Sequence, residues 1–136
     1  MRSLRVADVA EGDELPALDV PITTTAIVAG AIASRDYQDV HHDAELARQR
    51  GSKDVFMNIL TTNGWVGRFV TDWAGPDAVL KKVAIRLGAP NYPGDTMRMT
   101  GRVSAKTDGN VEVEIRGANS MGDHVVGTVT LELASG

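Results

Sequence analysis

A chain of 136 residues, 43% of them hydrophobic, is long enough for one buried core, and its net charge of −4 leaves no basic face for nucleic acid. It contains no cysteine, which removes disulfides, thiol nucleophiles and thiolate metal sites and suits a reducing cytoplasm. The N-terminus lacks the apolar run of a signal peptide, and the longest apolar stretch, residues 26–33, is too short to cross a bilayer. A cytoplasmic protein with no membrane or nucleic-acid partner is expected.

No repeat or linker divides the chain, so a single domain over residues 1–136 is expected. Residues 17–20 read as a short strand. Pro21 followed by Thr23-Thr24-Thr25 predicts a helix start, with small residues carrying the helix to about Ser34. Residues 36–43 read as a loop. Asp43 is placed to cap a short helix over 44–49, which Gly51 stops. Asn58 caps the longest helix, from Ile59 to about Trp73, and Gly75-Pro76 ends it. Its apolar residues, Leu60, Trp65, Val66, Phe69, Val70 and Trp73, spread so widely that the helix is expected to be wrapped by other structure. Gly64 and Gly67 each weaken it by roughly 1 kcal/mol relative to alanine, which tight packing must offset.

The remainder reads as strands. Residues 79–87 alternate loosely, 89–95 form a turn with two prolines, and 96–105 follow as a strand. Asp108-Gly109-Asn110 is a tight hairpin turn. Val111, Val113 and Ile115 then alternate with Glu112, Glu114 and Arg116, and Gly122-Asp123 is expected to turn the chain into a last strand over 124–133. Consecutive strands behind one long apolar helix predict an α+β fold, an antiparallel sheet curled around that helix.

The chemistry concentrates in Arg35-Asp36-Tyr37-Gln38-Asp39-Val40-His41-His42-Asp43, which holds three carboxylates and two of the chain's three histidines. A carboxylate and an imidazole that converge on one spot can share a water and move protons in opposite directions, with neither metal nor thiol. Asp36 and His41 are the candidate pair. Taken alone, each also has a plainer reading: Asp36 as a local turn bond, and His41 as a satisfied core group. His42 reads as a spectator and Asp43 as a helix cap. His-Asp dipeptides also occur in metal-dependent phosphohydrolases, but those sites need further ligands. The third histidine, His124, falls on a predicted strand, so no metal site is expected.

The segment Asp36-Tyr37-Gln38-Asp39-Val40-His41-His42-Asp43 resembles the motif of the MaoC-like hot-dog enoyl-CoA hydratases and dehydratases, in which a catalytic Asp is followed by x-Asn-Pro, an aliphatic residue, His, any residue and Asp. Ala89-Pro90-Asn91-Tyr92-Pro93-Gly94-Asp95-Thr96 is similar to the family's turn into its later strands, and the element order agrees along nearly the whole chain. The resemblance implies a hot-dog fold and a cofactor-independent hydratase acting on an enoyl-CoA thioester, with Asp36 and His41 as the acid–base pair. Two departures stand out. Gln38-Asp39 replaces Asn-Pro, so the loop loses a proline restraint. Asn58 stands where family members often place the glycine whose backbone N–H meets the thioester oxygen, which makes Asn58, or the N–H just after it, the oxyanion candidate.

Gly51-Ser52-Lys53-Asp54-Val55-Phe56 and Val70-Thr71-Asp72-Trp73-Ala74-Gly75-Pro76 look like the small MaoC-like subunits of steroid side-chain enoyl-CoA hydratases in actinobacterial cholesterol degradation. That narrower resemblance implies a bulky steroid thioester as substrate and a second MaoC-like subunit as partner, in a heterodimer or heterotetramer. The alternatives are a homodimeric (R)-specific hydratase of short or medium chains, a related thioesterase, and a non-catalytic acyl-CoA-binding subunit.

Overall fold

Strand β1 (Leu18–Pro21) is short, and helix α1 (Thr24–Ala33) follows it in the computed structural model, which describes residues 2–135. The Thr23 side chain accepts the Ala26 N–H, satisfying one of the orphan donors of the first turn. The stretch expected as a plain loop contains a single 3-10 turn, Asp39–His41. Helix α2 (Ala44–Gln49) is capped by Asp43, whose carboxylate accepts the Leu46 N–H at 3.1 Å. Helix α3 (Ile59–Ala74) begins at the Asn58 cap and stops at Gly75, whose φ of 91° lies in the left-handed region that favours glycine.

Strands β2 (Val79–Leu87), β3 (Thr96–Thr107), β4 (Asn110–Asn119) and β5 (Gly122–Glu132) join β1 in one antiparallel five-stranded sheet of order β1-β3-β4-β5-β2. The β3–β4 hairpin turns on Asp108 and Gly109, both with positive φ. The β4–β5 hairpin turns at Ser120-Met121, two residues before the expected Gly122-Asp123. The cause is distant in sequence: the Asp95 carboxylate takes the Ser120 N–H and hydroxyl, and the Asn119 side chain takes the Met121 N–H.

Alternation decides what the sheet buries. Met97 and Met99 on β3, Val111 and Val113 on β4, and Val129 and Leu131 on β5 point inward onto Val66, Phe69 and Val70 of α3. The sheet wraps α3 as expected, over the side that carries Val66, Phe69 and Val70. Only its sheet-facing side is buried, while Ile59 and Leu60 are 51% and 50% exposed. One five-stranded sheet curls over one side of the helix, and α1 packs against its first turn, with Gly30 against Thr61. β2 is a nine-residue edge strand with no fully buried residue, and Val79 and Leu80 are exposed on it. No helix among the described residues is long and apolar enough to cross a membrane.

Because β2 and β3 lie on opposite sides of the β4–β5 pair, residues 88–95 must cross one end of the sheet. This crossover brings Ala89, Pro90 and Asn91 to the N-terminus of α3, where the Asn91 carbonyl accepts the Met57 N–H at 3.1 Å.

Candidate active site

Asp36 is launched by the way α1 ends. Its N–H returns to the Ala31 carbonyl (2.9 Å) and the Arg35 N–H to Ile32 (3.0 Å), the paired bonds of a Schellman cap. Such a cap puts the intervening residue in the left-handed region. Here that residue is Arg35, with φ 58° rather than a glycine. Ser34 donates to the Gly30 carbonyl at 2.7 Å and accepts from the Asn58 amide at 3.0 Å, which ties the end of α1 to the start of α3.

His41 is buried, and its ring is oriented from behind. Nδ1 lies 2.7 Å from the Phe56 carbonyl oxygen, which can only accept, so Nδ1 carries the proton. The Phe56 ring stands edge-on to the imidazole at 4.9 Å. In the neutral ring Nε2 is therefore an acceptor, and it faces Asp36 Oδ2 at 3.3 Å.

Asp36 is itself held by hydrogen bonds, from the Asn58 amide to Oδ2 (3.1 Å) and from the Gln38 N–H to Oδ1 (3.3 Å). The Asn58 bond is the main reason that the Asp36 carboxyl sits below its ordinary value of 3.8; it outweighs partial burial, with smaller help from Gln38 and the His41 charge. Asp36 is thus a carboxylate at neutral pH. With the ring neutral, two acceptors face each other, and a water that gives one O–H to each satisfies both.

Asn58 occupies a different place from a simple oxygen donor. Its side-chain oxygen accepts from Thr61 N–H (3.0 Å), capping α3, and its amide donates to Ser34 and Asp36. Its side chain is fully committed. The backbone N–H groups of Asn58 and Ile59 head the helix without an acceptor among the described residues, and both residues line the cleft over the Asp36–His41 pair. That cleft, of about 330 Å³, is closed on its other side by Leu87, Pro90 and His124.

His124, which the sequence places only on a strand, belongs to the cleft. It is 2% exposed, its Nδ1 donates to the Ala89 carbonyl (2.7 Å), and Nε2 accepts from the Thr62 hydroxyl (2.8 Å). Burial pushes its pKa down, against the opposing effect of the Ala89 bond, which keeps the ring neutral. Strand alternation would set His124 on the face opposite Val125, Val129 and Leu131; a bulge in the β4–β5 pairing at this position turns it inward, and no local signal placed it beside Thr62, 62 positions away. His42 is exposed, with Nε2 at 3.2 Å from the Tyr37 carbonyl and away from the pair, and Asp43 serves as the α2 cap.

An antiparallel sheet curled over a central helix, with an aspartate and a histidine meeting at that helix's N-terminus, is the hot-dog architecture of MaoC proteins, and the chain belongs to the MaoC like domain family, whose pattern matches residues 8–124. Among curated relatives, it is 50% identical over 122 residues to the 3-oxo-4,17-pregnadiene-20-carboxyl-CoA hydratase beta subunit of Mycobacterium tuberculosis, covering 90% of this chain and 95% of that one. Among solved structures, it superposes on a chain of the ChsH1-ChsH2 complex from Mycobacterium tuberculosis with a TM-score of 0.91 and 49% identity, over 92% of this chain and 98% of that one. The R-hydratase PhaJ1 from Pseudomonas aeruginosa shares the fold, with a TM-score of 0.90 at 19% identity over 98% and 88% of the two chains.

Proposed function

We propose that this chain is the catalytic MaoC-like subunit of a cytoplasmic enoyl-CoA hydratase, adding water across the α,β double bond of a steroid side-chain thioester beside a second MaoC-like subunit. The observation that carries the reading is the meeting of His41 Nε2 and Asp36 Oδ2 at 3.3 Å, both acceptors, on the floor of an open cleft. The 50% identity to a beta subunit of a steroid carboxyl-CoA hydratase supports the substrate class and the partner.

In the proposed reaction a water donates one hydrogen to His41 Nε2 and the other to Asp36. Its oxygen attacks the β-carbon while Nε2 takes the proton. The imidazolium so formed is stabilised by the Asp36 carboxylate and by its Nδ1–H bond to Phe56. Charge develops on the thioester oxygen, where the Asn58 and Ile59 backbone N–H groups and the positive end of α3 receive it. Nε2 then delivers the same proton to the α-carbon, and both side chains return to their starting states. No redox group or metal is required by these steps, and coenzyme A enters only as part of the substrate.

The test is the loss of conjugated enoyl-thioester absorbance with a steroid side-chain enoyl-CoA and, separately, crotonyl-CoA, with and without a MaoC-like partner. Asp36→Asn and His41→Ala are each expected to lower kcat by at least about 10²-fold, with the fold retained by circular dichroism. Near-normal turnover in both variants rejects the assignment. Crotonyl-CoA turnover by the chain alone moves the reading to a homodimeric hydratase.

A further inference from the structure

We propose that the exposed ion pair between Asp39 and Arg50 is a positioning clasp for the loop that carries His41, restraining electrostatically a backbone shaped to accept a proline; the proposal rests on the acid–base role assigned to His41. Asp39 opens the 3-10 turn whose last residue is His41, and Arg50 follows the last residue of α2. Arg50 Nε and one terminal nitrogen reach the two Asp39 oxygens at 2.6 and 2.8 Å, a two-pronged fit with a fixed direction. The pair closes residues 39–50 into a loop that contains α2 and is anchored at its start to the His41 turn.

The backbone at Asp39 shows what the clasp replaces. Gln38 has φ −61° and ψ 134°, the extended conformation that a residue before proline adopts. The Asp39 N–H has no acceptor among the described residues, and Asp39 stands first in its turn, where a proline costs no hydrogen bond. A proline would therefore fit, and the chain has aspartate instead. With φ no longer locked by a ring, the turn depends on the bonds of His41 N–H to the Gln38 carbonyl (3.1 Å) and of the His42 and Asp43 N–H groups to the Asp39 carbonyl (3.1 and 2.8 Å). Arg50 holds the side chain of the residue that supplies two of these three bonds.

An exposed pair of this kind ordinarily adds little to global stability, and the Arg50 side chain is 64% exposed. The effect therefore belongs to the loop rather than to the melting temperature. A small displacement of His41 is sufficient to matter, because acid–base transfer is steep in geometry.

Arg50→Gln and the double variant Arg50→Gln with Asp39→Pro, each assembled with the MaoC-like partner, separate this clasp from a bland surface charge. In Arg50→Gln, amide hydrogen exchange at His41, His42 and Asp43 is expected to accelerate about three- to tenfold. On a steroid side-chain enoyl-CoA, kcat should fall by a similar factor with KM within about twofold. Adding Asp39→Pro should reverse both changes and make kcat insensitive to salt. Unchanged exchange at the three amides in Arg50→Gln, or no recovery in the double variant, overturns the proposal. Exchange that responds as stated in a complex that hydrates no enoyl-CoA upholds the clasp and rejects the role given to His41.

Discussion

His124 joins three elements through one ring. Its Nδ1 bonds the Ala89 carbonyl in the crossover and its Nε2 takes the Thr62 hydroxyl on α3, while the residue itself sits on β5. In the neutral ring Nδ1 is the donor to Ala89 and Thr62 is the donor to Nε2. Protonation reverses the Thr62 bond and puts a charge in a buried wall of the cleft. The sign follows from the lowered pKa. Below the ordinary value of 6.5 the unfolded chain binds a proton that the folded chain refuses, so stability is lost as the pH falls from 6.5 towards the lower folded value. Urea unfolding between pH 7.5 and 5 should therefore show a declining midpoint in the natural chain. His124→Gln should flatten that decline; an unchanged decline would assign it to other groups. Asp36 works in the opposite window. Its carboxyl is held below 3.8, so its contribution to stability is present above 3.8 and is lost only in stronger acid.

At the scale of elements, the site depends on how closely α1 can approach α3. A Cβ at Gly30 would collide with the Thr61 side chain, so glycine is required there by contact rather than by backbone conformation. That contact brings Ser34 and Asp36 within reach of the Asn58 amide at 3.0 and 3.1 Å. Gly30→Ala is expected to cost about 1–3 kcal/mol, as overpacking usually does. It should also lower kcat more than KM, because Asp36 loses the bond that aims it at His41. A thermal melt beside steady-state kinetics checks both parts, and a loss of stability with kcat intact would uncouple α1 packing from the site. Arg35 tells a related story. The Schellman cap that orients Asp36 calls for a left-handed residue, and an arginine accepts that conformation at a cost of about 1 kcal/mol.

For the molecule as a whole, apolar surface is left open on α3 and on the edge strand β2. Ile59 and Leu60 at the start of α3, and Val79 and Leu80 on edge strand β2, remain exposed, and an unpaired edge of this length invites another strand. Leu80 also lies next to Gly67, one of the glycines that weaken α3. A partner subunit seated against this surface accounts for the exposed leucines and isoleucine that the chain's own sheet does not cover. Leu80→Lys, at a residue 41% exposed, should leave the subunit folded yet weaken its association with a MaoC-like partner by at least about tenfold. Titration calorimetry measures this directly, and unchanged affinity would move the interface elsewhere.

Much of this was legible in the sequence because its causes are local. The Thr23, Asp43 and Asn58 caps act on backbone groups three residues away, so α1, α2 and α3 start where their caps predict. Strand β2 and the inward alternation of β4 followed from side-chain period. Asp36 and His41 stood out because the family motif keeps them within one short segment. What the tertiary structure decided involves groups far apart in the chain. The use of the Asn58 side chain to hold Asp36, 22 residues away, and the entry of His124 into the cleft wall, 62 residues from Thr62, arise from packing between elements. So does the bare side of α3. Local periodicity marks a surface as apolar, but only the curvature of a five-stranded sheet determines which part of that surface the chain itself can cover.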